Sequence, residues 1–370
     1  MREKKKRIYL DNNATTRISP EVLDALVATY EMGPLNASSQ HAFGHSAKKL
    51  LLSSREAIAN VFAVPSDSIL FFGSATEAIN QLFHTFSSGH IISTEVDHAA
   101  LYELTKKHTN TTFIDVDQNG TIDLDQLENA ITEETSALFF SYANSETGSL
   151  FPIDEIAEIA KRRTIPLIVD GVAALGKTEI TLHDGVTAMV FSGHKIHGPS
   201  GCGFIYLKQG AKLTPLVVGG GQERGIRSGT EAIPLIVGTA YAVSMISTHV
   251  IGSISLLRQY FETRLLELIP DIRFLGGEKR VANVSSVSFE GVDAESLLIR
   301  LDMDGVSASH GSACSAGAME PSRVLIKMGY PISLVKSALR FSLSRYTTKD
   351  ELDIALDHIK NAVEQQRAYA

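Results

Sequence analysis

The chain has 370 residues, 44% hydrophobic and 21% charged, with a formal net charge of −8. That length exceeds one simple core, so a large and a small domain are expected, and the acidic balance argues against general nucleic-acid binding. No run reaches the roughly 18 apolar residues of a membrane span, and the basic start Met1–Arg7 is followed by no signal core.

In chain order, short apolar runs predict strands at Ile69–Phe72, His90–Ser93, Thr112–Ile114, Ala137–Phe140, Leu167–Asp170, Ala188–Ser192 and Gly203–Leu207. Helical patterns fall between several of them, at Thr76–Phe86, Ala99–Lys107, Leu124–Ile131 and Asp154–Arg162. This alternation predicts an α/β fold with a mainly parallel seven-stranded sheet flanked by helices. Beyond Gly220 the rhythm changes. A long helical stretch over Ile233–Leu268, with a break near Ile251-Gly252, precedes a strand at Val284–Phe289 and a helix at Ala294–Leu301. A last helix runs from Lys349 to about Gln366, its first-turn Asp350 and Glu351 suiting the helix dipole. The expected division is an N-terminal segment over 1–20 packing with the small domain, a large domain over 21–250, and a smaller C-terminal α/β domain over 251–370.

Ligands of α/β folds gather at the carboxyl ends of strands, and four such ends carry polar residues that could meet one. Phe72 runs into Gly73-Ser74-Ala75-Thr76-Glu77, either an ordinary helix cap or an anion cradle of free backbone N–H groups. His98 follows the next strand, where a lone histidine is usually structural. Asp170 ends a strand as a cap or as a carboxylate facing a ligand. The strand from Ala188 ends in Ser192-Gly193-His194-Lys195 and enters a Gly/Pro-rich loop. A lysine at the inner end of a buried strand is expensive unless paired or neutralised; an imine with a carbonyl cofactor is one solution, snorkelling to the surface another.

The two cysteines, lacking a Cys-x-x-Cys, form neither a disulfide framework nor a zinc site, and no metal is expected. A free thiol suits a reducing cytoplasm. Cys202 lies between two glycines and is expected to pack as a small neighbour. Cys314 stands in Ser309–Ser322, S-H-G-S-A-C-S-A-G-A-M-E-P-S, where nothing bulky fences it. Buried cysteines keep branched apolar company, which this one lacks, so it reads as an accessible thiol on a small-residue loop.

Six ordered stretches carry a family resemblance: Y-L-D-N-N-A-T-T (Tyr9–Thr16), G-S-A-T-E (Gly73–Glu77), S-G-H-K-I-H-G-P (Ser192–Pro199), G-G-G-Q-E-R-G-I-R-S-G-T (Gly219–Thr230), S-H-G-S-A-C (Ser309–Cys314) and R-F-S-L-S-R-Y-T-T (Arg340–Thr348). Together they resemble the cysteine desulfurases of the class V aminotransferase group, in the iron–sulfur assembly form with the longer active-site loop. The resemblance implies the type I fold of pyridoxal-phosphate transferases and conversion of L-cysteine to L-alanine. Sulfur would leave as a persulfide on Cys314 for an acceptor or scaffold protein, in cluster assembly or tRNA thiolation.

By the same resemblance Lys195 would bind pyridoxal 5'-phosphate covalently and move protons, and His98 would stack on its ring. Asp170 would pair with the ring nitrogen. Ala75, Thr76, Ser192 and His194 would hold the phosphate, with Thr230 reaching it from the second subunit of a homodimer. Arg340, helped by Asn36, would clamp the substrate carboxylate. Neither nucleic acid nor membrane is an expected partner, and the tail some relatives extend to a scaffold is expected to be short or absent.

Two departures stand out. Ser145 occupies the place of an asparagine, and Ala173 that of a glutamine, both donors to the cofactor's phenolic oxygen in the family. The expectation is a less stabilised oxygen, a raised pKa of the Lys195–cofactor imine and a turnover slower by roughly ten- to a hundredfold. Alternatives on the same motifs are a selenocysteine lyase, another lyase or aminotransferase of this class, or a weakly active paralogue that chiefly binds partners. The reactive placing of Cys314 favours sulfur abstraction over transamination, and the intact Lys195, His98, Asp170 and Arg340 count against a decayed site.

Overall fold

The computed structural model describes residues 7–311 and 320–369; Cys314 lies outside the described residues. A two-residue strand β1 (Ile8–Tyr9) leads to helices α1 (Pro20–Glu31) and α2 (Ala42–Val61). Apolar runs do not single out these two helices, but Ser19-Pro20 is a start signal. The Ser19 side chain accepts from Val22 N, and proline in the first turn sacrifices no helical bond.

The alternating series follows: β2 (Ile69–Phe72), α3 (Ala75–Phe86), β3 (His90–Thr94), α4 (Ala99–Lys107), β4 (Thr111–Ile114), α5 (Leu124–Ala130), β5 (Thr135–Ser141), α6 (Ile153–Arg163), β6 (Leu167–Asp170), β7 (Val186–Ser192) and β8 (Gly203–Leu207). They form one sheet in the order β2-β8-β7-β6-β5-β3-β4. The run from β4 to β7 is parallel, while β8 pairs antiparallel with both neighbours. Every residue of β2, β3 and β6 is buried. Helices on both faces explain why these strands read as unbroken apolar runs without alternation. Parallel pairing brings the carboxyl ends of β3, β6 and β7 to one edge, and the turns there carry His98, Asp170 and Lys195.

The second half adds α7 (Ile233–Ser244), α8 (Thr248–Leu268), β9 (Ile272–Leu275), β10 (Val284–Phe289), α9 (Ala294–Asp304), β11 (Val306–Ser307), α10 (Arg323–Lys327), α11 (Ile332–Lys336), β12 (Ala338–Ser342) and α12 (Lys349–Tyr369). The helix break expected near Ile251-Gly252 lies instead between Ser244 and Thr248, with a bend of 74°. Ser247 restarts the helix by accepting from Val250 N, whereas Gly252 inside α8 costs only about 1 kcal/mol. An antiparallel sheet β12-β10-β9 builds a second core around Phe261, Phe289 and Phe341. Strand β1 pairs with β11, so Ile8 and Leu10 join this second core. Among the described residues no single helix is long and apolar enough to cross a membrane.

One buried ion pair ties the Gly219–Thr230 stretch to the sheet. Glu223, in a left-handed conformation (φ 44°), accepts from Phe71 N at 2.9 Å and from two Arg55 guanidinium nitrogens at 2.9 and 2.6 Å. Removing Arg55 leaves this carboxylate buried without its counter-charge. Arg55→Ala is therefore expected to lower unfolding free energy by about 3–5 kcal/mol, measured by urea denaturation of the cofactor-free protein; a change below about 1 kcal/mol would contradict it.

Candidate active site

A cavity of about 350 Å³ opens at the shared strand edge, lined among others by His98, Ser145, Asp170, Ala173 and Lys195. Lys195 ends the short turn after β7, and its Nζ donates to the backbone oxygens of Asn13 and Ala14, both at 2.7 Å. The N-terminal stretch thus forms one wall. His98 caps α4: its Nδ1 accepts from Ala100 N at 3.1 Å, so the ring hydrogen sits on Nε2. Burial, aided by the charges of Lys195, Arg323 and Arg340, lowers this imidazole to about 4 and keeps it neutral at physiological pH. Asp170, at the end of β6, is pushed up to about 6, chiefly by burial, despite the hydrogen bond from Val172 N.

The opposite end is an anion cradle. Ser74 caps α3 by accepting from Glu77 N, which leaves Ala75 and Thr76 N–H in the first turn without helical acceptors. Glu77 turns back to Gly73 N at 2.8 Å and is neutralised by Arg227 Nε at 2.6 Å. Ser192 and His194 line the same cavity; His194 meets Thr15 Oγ1 at 3.1 Å and is lowered to about 4 by burial and by the neighbouring lysines.

Arg340 lies just beyond this wall, on β12. Its Nη1 donates to Ser145 O and its Nη2 to Asp11 Oδ1, both at 2.9 Å, while Nε is buried and has no hydrogen-bond partner among the described residues. Thr230 is exposed and lines a separate cavity with Arg227 and Glu223. Asn36 is exposed, accepts from Ser38 N at 2.9 Å and does not line the cavity. Cys202 is buried, its thiol pushed up to about 12 by desolvation, which makes it inert as a nucleophile.

Two residues without an expected role belong to the site. Asn13 lines the cavity, and its Nδ2 donates to Ser145 O at 2.7 Å. Lys177, 6% exposed, donates from Nζ to Asn13 Oδ1 at 2.9 Å. Burial drives Lys177 well below the ordinary lysine range, and the charges of Lys195 and Arg340 push it the same way. Motif position was the only signal for Asn13, and Lys177 had none, because its partner is 164 residues away.

The donor set fits one kind of molecule. Free helix N–H groups suit a phosphate, the Asp170 carboxylate suits a protonated ring nitrogen, and a lysine amine between them suits an aldehyde; pyridoxal phosphate has all three. The comparisons agree. The Aminotransferase class-V family profile matches residues 8–355. The chain is 37% identical over 375 residues to a cysteine desulfurase of Trichormus azollae, covering 98% of this chain and 94% of that one. Among solved structures, a NifS-like protein superposes with a TM-score of 0.89 at 31% identity, covering 97% of this chain and 100% of the other. SspA in complex with cysteine gives 0.82 at 27% identity, covering 92% and 99%. With the lysine, the carboxylate and the anion cradle assembled on one sheet edge, this chain belongs to the class V aminotransferase family, among its pyridoxal-phosphate-dependent cysteine desulfurases.

Proposed function

We propose that this chain removes sulfur from L-cysteine, giving L-alanine and a persulfide on Cys314 that passes to an acceptor protein for iron–sulfur assembly or tRNA thiolation. The observation that carries this reading is one cavity holding Lys195, His98, Asp170 and the α3 N-terminus together, with Arg340 just beyond its wall and bonded to Ser145 O. Pyridoxal phosphate, when bound, supplies the electron sink that lets the substrate Cα–H and Cβ–S bonds weaken.

The remaining work falls to the chain. Arg340 binds the substrate carboxylate through its guanidinium, which Ser145 O and Asp11 Oδ1 orient beside the cavity. Lys195 Nζ takes the Cα proton and returns it during turnover. Neutral His98 presents its Nε2–H to the reacting face. The Cys314 thiolate attacks the substrate sulfur: an S–S bond forms, the C–S bond breaks, and the carbon keeps the electron pair and gains a proton.

The division into a large domain over 21–250 and a small one over 251–370, and a cytoplasmic location, are parts of the same proposal. So is a homodimer in which Thr230 reaches the partner's phosphate. Exposed apolar side chains on α1 and α2, among them Val27, Tyr30, Phe43 and Leu52, support a second copy as the occupant of that face. Sedimentation velocity is expected to return twice the 40.0 kDa chain mass; a monomer retaining full activity would remove the shared-site arrangement.

The deciding experiment incubates the purified protein with L-cysteine and a thiol reductant and quantifies alanine and sulfide. Equal release of both, dependent on the cofactor and lost in Cys314→Ala, is expected. Absence of alanine from cofactor-loaded protein would overturn the reading.

A further inference from the structure

We propose that Asn13 donates the hydrogen bond to the phenolic oxygen of bound pyridoxal phosphate, and that Lys177 holds its amide in the donating orientation. This rests on the cofactor assignment above. Among the described residues lining the cavity, Asn13 carries the only side-chain amide. The wall it shares with Ser145 and Ala173 has otherwise only a short hydroxyl and a methyl to offer.

Three observations give the amide this role. First, its position beside Lys195 is fixed: Asn13 O accepts from Lys195 Nζ at 2.7 Å, and Asn13 N donates to Ser342 Oγ at 2.8 Å. The phenolic oxygen of pyridoxal sits on the ring carbon next to the one bearing the aldehyde. A donor to it therefore has to stand beside the linking lysine.

Second, the amide cannot be turned round. Ser145 O only accepts, so Nδ2 faces it at 2.7 Å, while Oδ1 receives Lys177 Nζ at 2.9 Å and Asn283 Nδ2 at 3.5 Å. Nδ2 carries two hydrogens and, among the described residues, gives one to Ser145 O. The second is left for the cavity.

Third, Lys177 is as buried as Asn13, at 6% and 5% exposed, and forms no ion pair among the described residues. A lysine is costly there without a carboxylate. Among the described residues, holding the Asn13 amide is its one side-chain hydrogen bond.

A donor to the phenolic oxygen draws negative charge away from the proton shared between that oxygen and the lysine nitrogen, so the proton leaves at lower pH. Among the described residues the charged and titratable groups around this wall are Lys177, Lys195, Arg340 with Asp11, Asp170 with Asp97, Glu146, Arg323, His98 and His194. Asn13→Ala alters none of their identities.

The test reconstitutes cofactor-free wild type, Asn13→Ala, Asn13→Ala/Ser145→Asn and Lys177→Met with pyridoxal phosphate. Binding is followed by absorbance titration, and the visible band is titrated against pH. Asn13→Ala is expected to raise the midpoint of the band by about one pH unit, a tenfold gain in proton affinity. Ser145→Asn in that background is expected to restore it. Lys177→Met is expected to raise the midpoint alone but to add nothing to Asn13→Ala, since both act through one hydrogen bond.

An Asn13→Ala protein that binds the cofactor with a midpoint within about 0.2 unit of wild type overturns the proposal. Should Asn13→Ala fail to fold, an unshifted Lys177→Met overturns it instead. A wild type that binds no pyridoxal phosphate defeats the cofactor assignment itself, which is a separate result.

Discussion

Lys195→Ala is expected to lower alanine release from L-cysteine by about 10⁴-fold or more. Two functions disappear at once: the covalent anchor for the cofactor and the amine that moves the Cα proton, the latter alone worth about 10²–10⁴. Borohydride reduction of the loaded wild type, followed by peptide mass analysis, is expected to place the cofactor's mass on the peptide carrying Lys195 and nowhere else. Folding is expected to survive, because the lost bonds from Nζ to Asn13 O and Ala14 O face a water-accessible cavity that can satisfy both carbonyls. A variant keeping more than about a tenth of wild-type turnover would show that another group does this work.

Asp170→Asn separates function from stability, because its two effects have opposite signs. Without the carboxylate the ring nitrogen of the cofactor is no longer held protonated, and turnover is expected to fall by about 10²–10³-fold. The cofactor-free protein, by contrast, becomes more stable. Burial raises the Asp170 carboxyl from 3.8 to about 6 in the fold, so above pH 6 the native state carries a charge that the unfolded chain holds more easily. That difference costs on the order of 3 kcal/mol at pH 8 and vanishes as the pH falls below about 4, where both states are protonated. Asparagine removes the charge and can still accept from Val172 N, which lies 3.0 Å from Asp170 Oδ1. Thermal melts of the cofactor-free variant are therefore expected to exceed wild type at pH 8 and to converge with it near pH 4. A lower melting temperature at pH 8 would show that the carboxylate is compensated in the fold.

Much of the site was legible in sequence because its parts are local. Lys195, Asp170 and the Gly73–Glu77 turn each follow directly on a strand whose burial on both faces leaves an unbroken apolar run. Each ends in small or polar residues that a parallel sheet collects at one edge. Five of the seven strands of the main sheet lie within one residue of their expected ends, Ile69–Phe72, His90–Thr94, Thr111–Ile114, Leu167–Asp170 and Gly203–Leu207, and the other two, Thr135–Ser141 and Val186–Ser192, begin two residues early. Six helix starts, Ala75, Ala99, Leu124, Ile153, Ala294 and Lys349, fall within one residue of the expected ones, whereas the starts of α1 and α8 show only in capping chemistry. Ser19-Pro20 marks α1 and Ser247 marks α8, and a glycine inside a helix was a poorer guide to the bend than the serine that caps the next one.

By itself, then, the sequence determined the α/β class, the order of the strands along the chain and the strand ends at which Lys195, Asp170 and the Gly73–Glu77 turn stand. Tertiary structure alone decided the antiparallel seat of β8, the ion pair between Arg55 and Glu223 and the joining of Asn13 to Lys177 and Ser145. It also decided that Asn36 stays outside the cavity. The reason is physical. A strand or a cap is set by neighbours within a few residues, whereas burial and pairing of a polar side chain depend on what the fold brings to it. The Asn13 side chain meets Ser145 O, Lys177 Nζ and Asn283 Nδ2 from 132, 164 and 270 residues away.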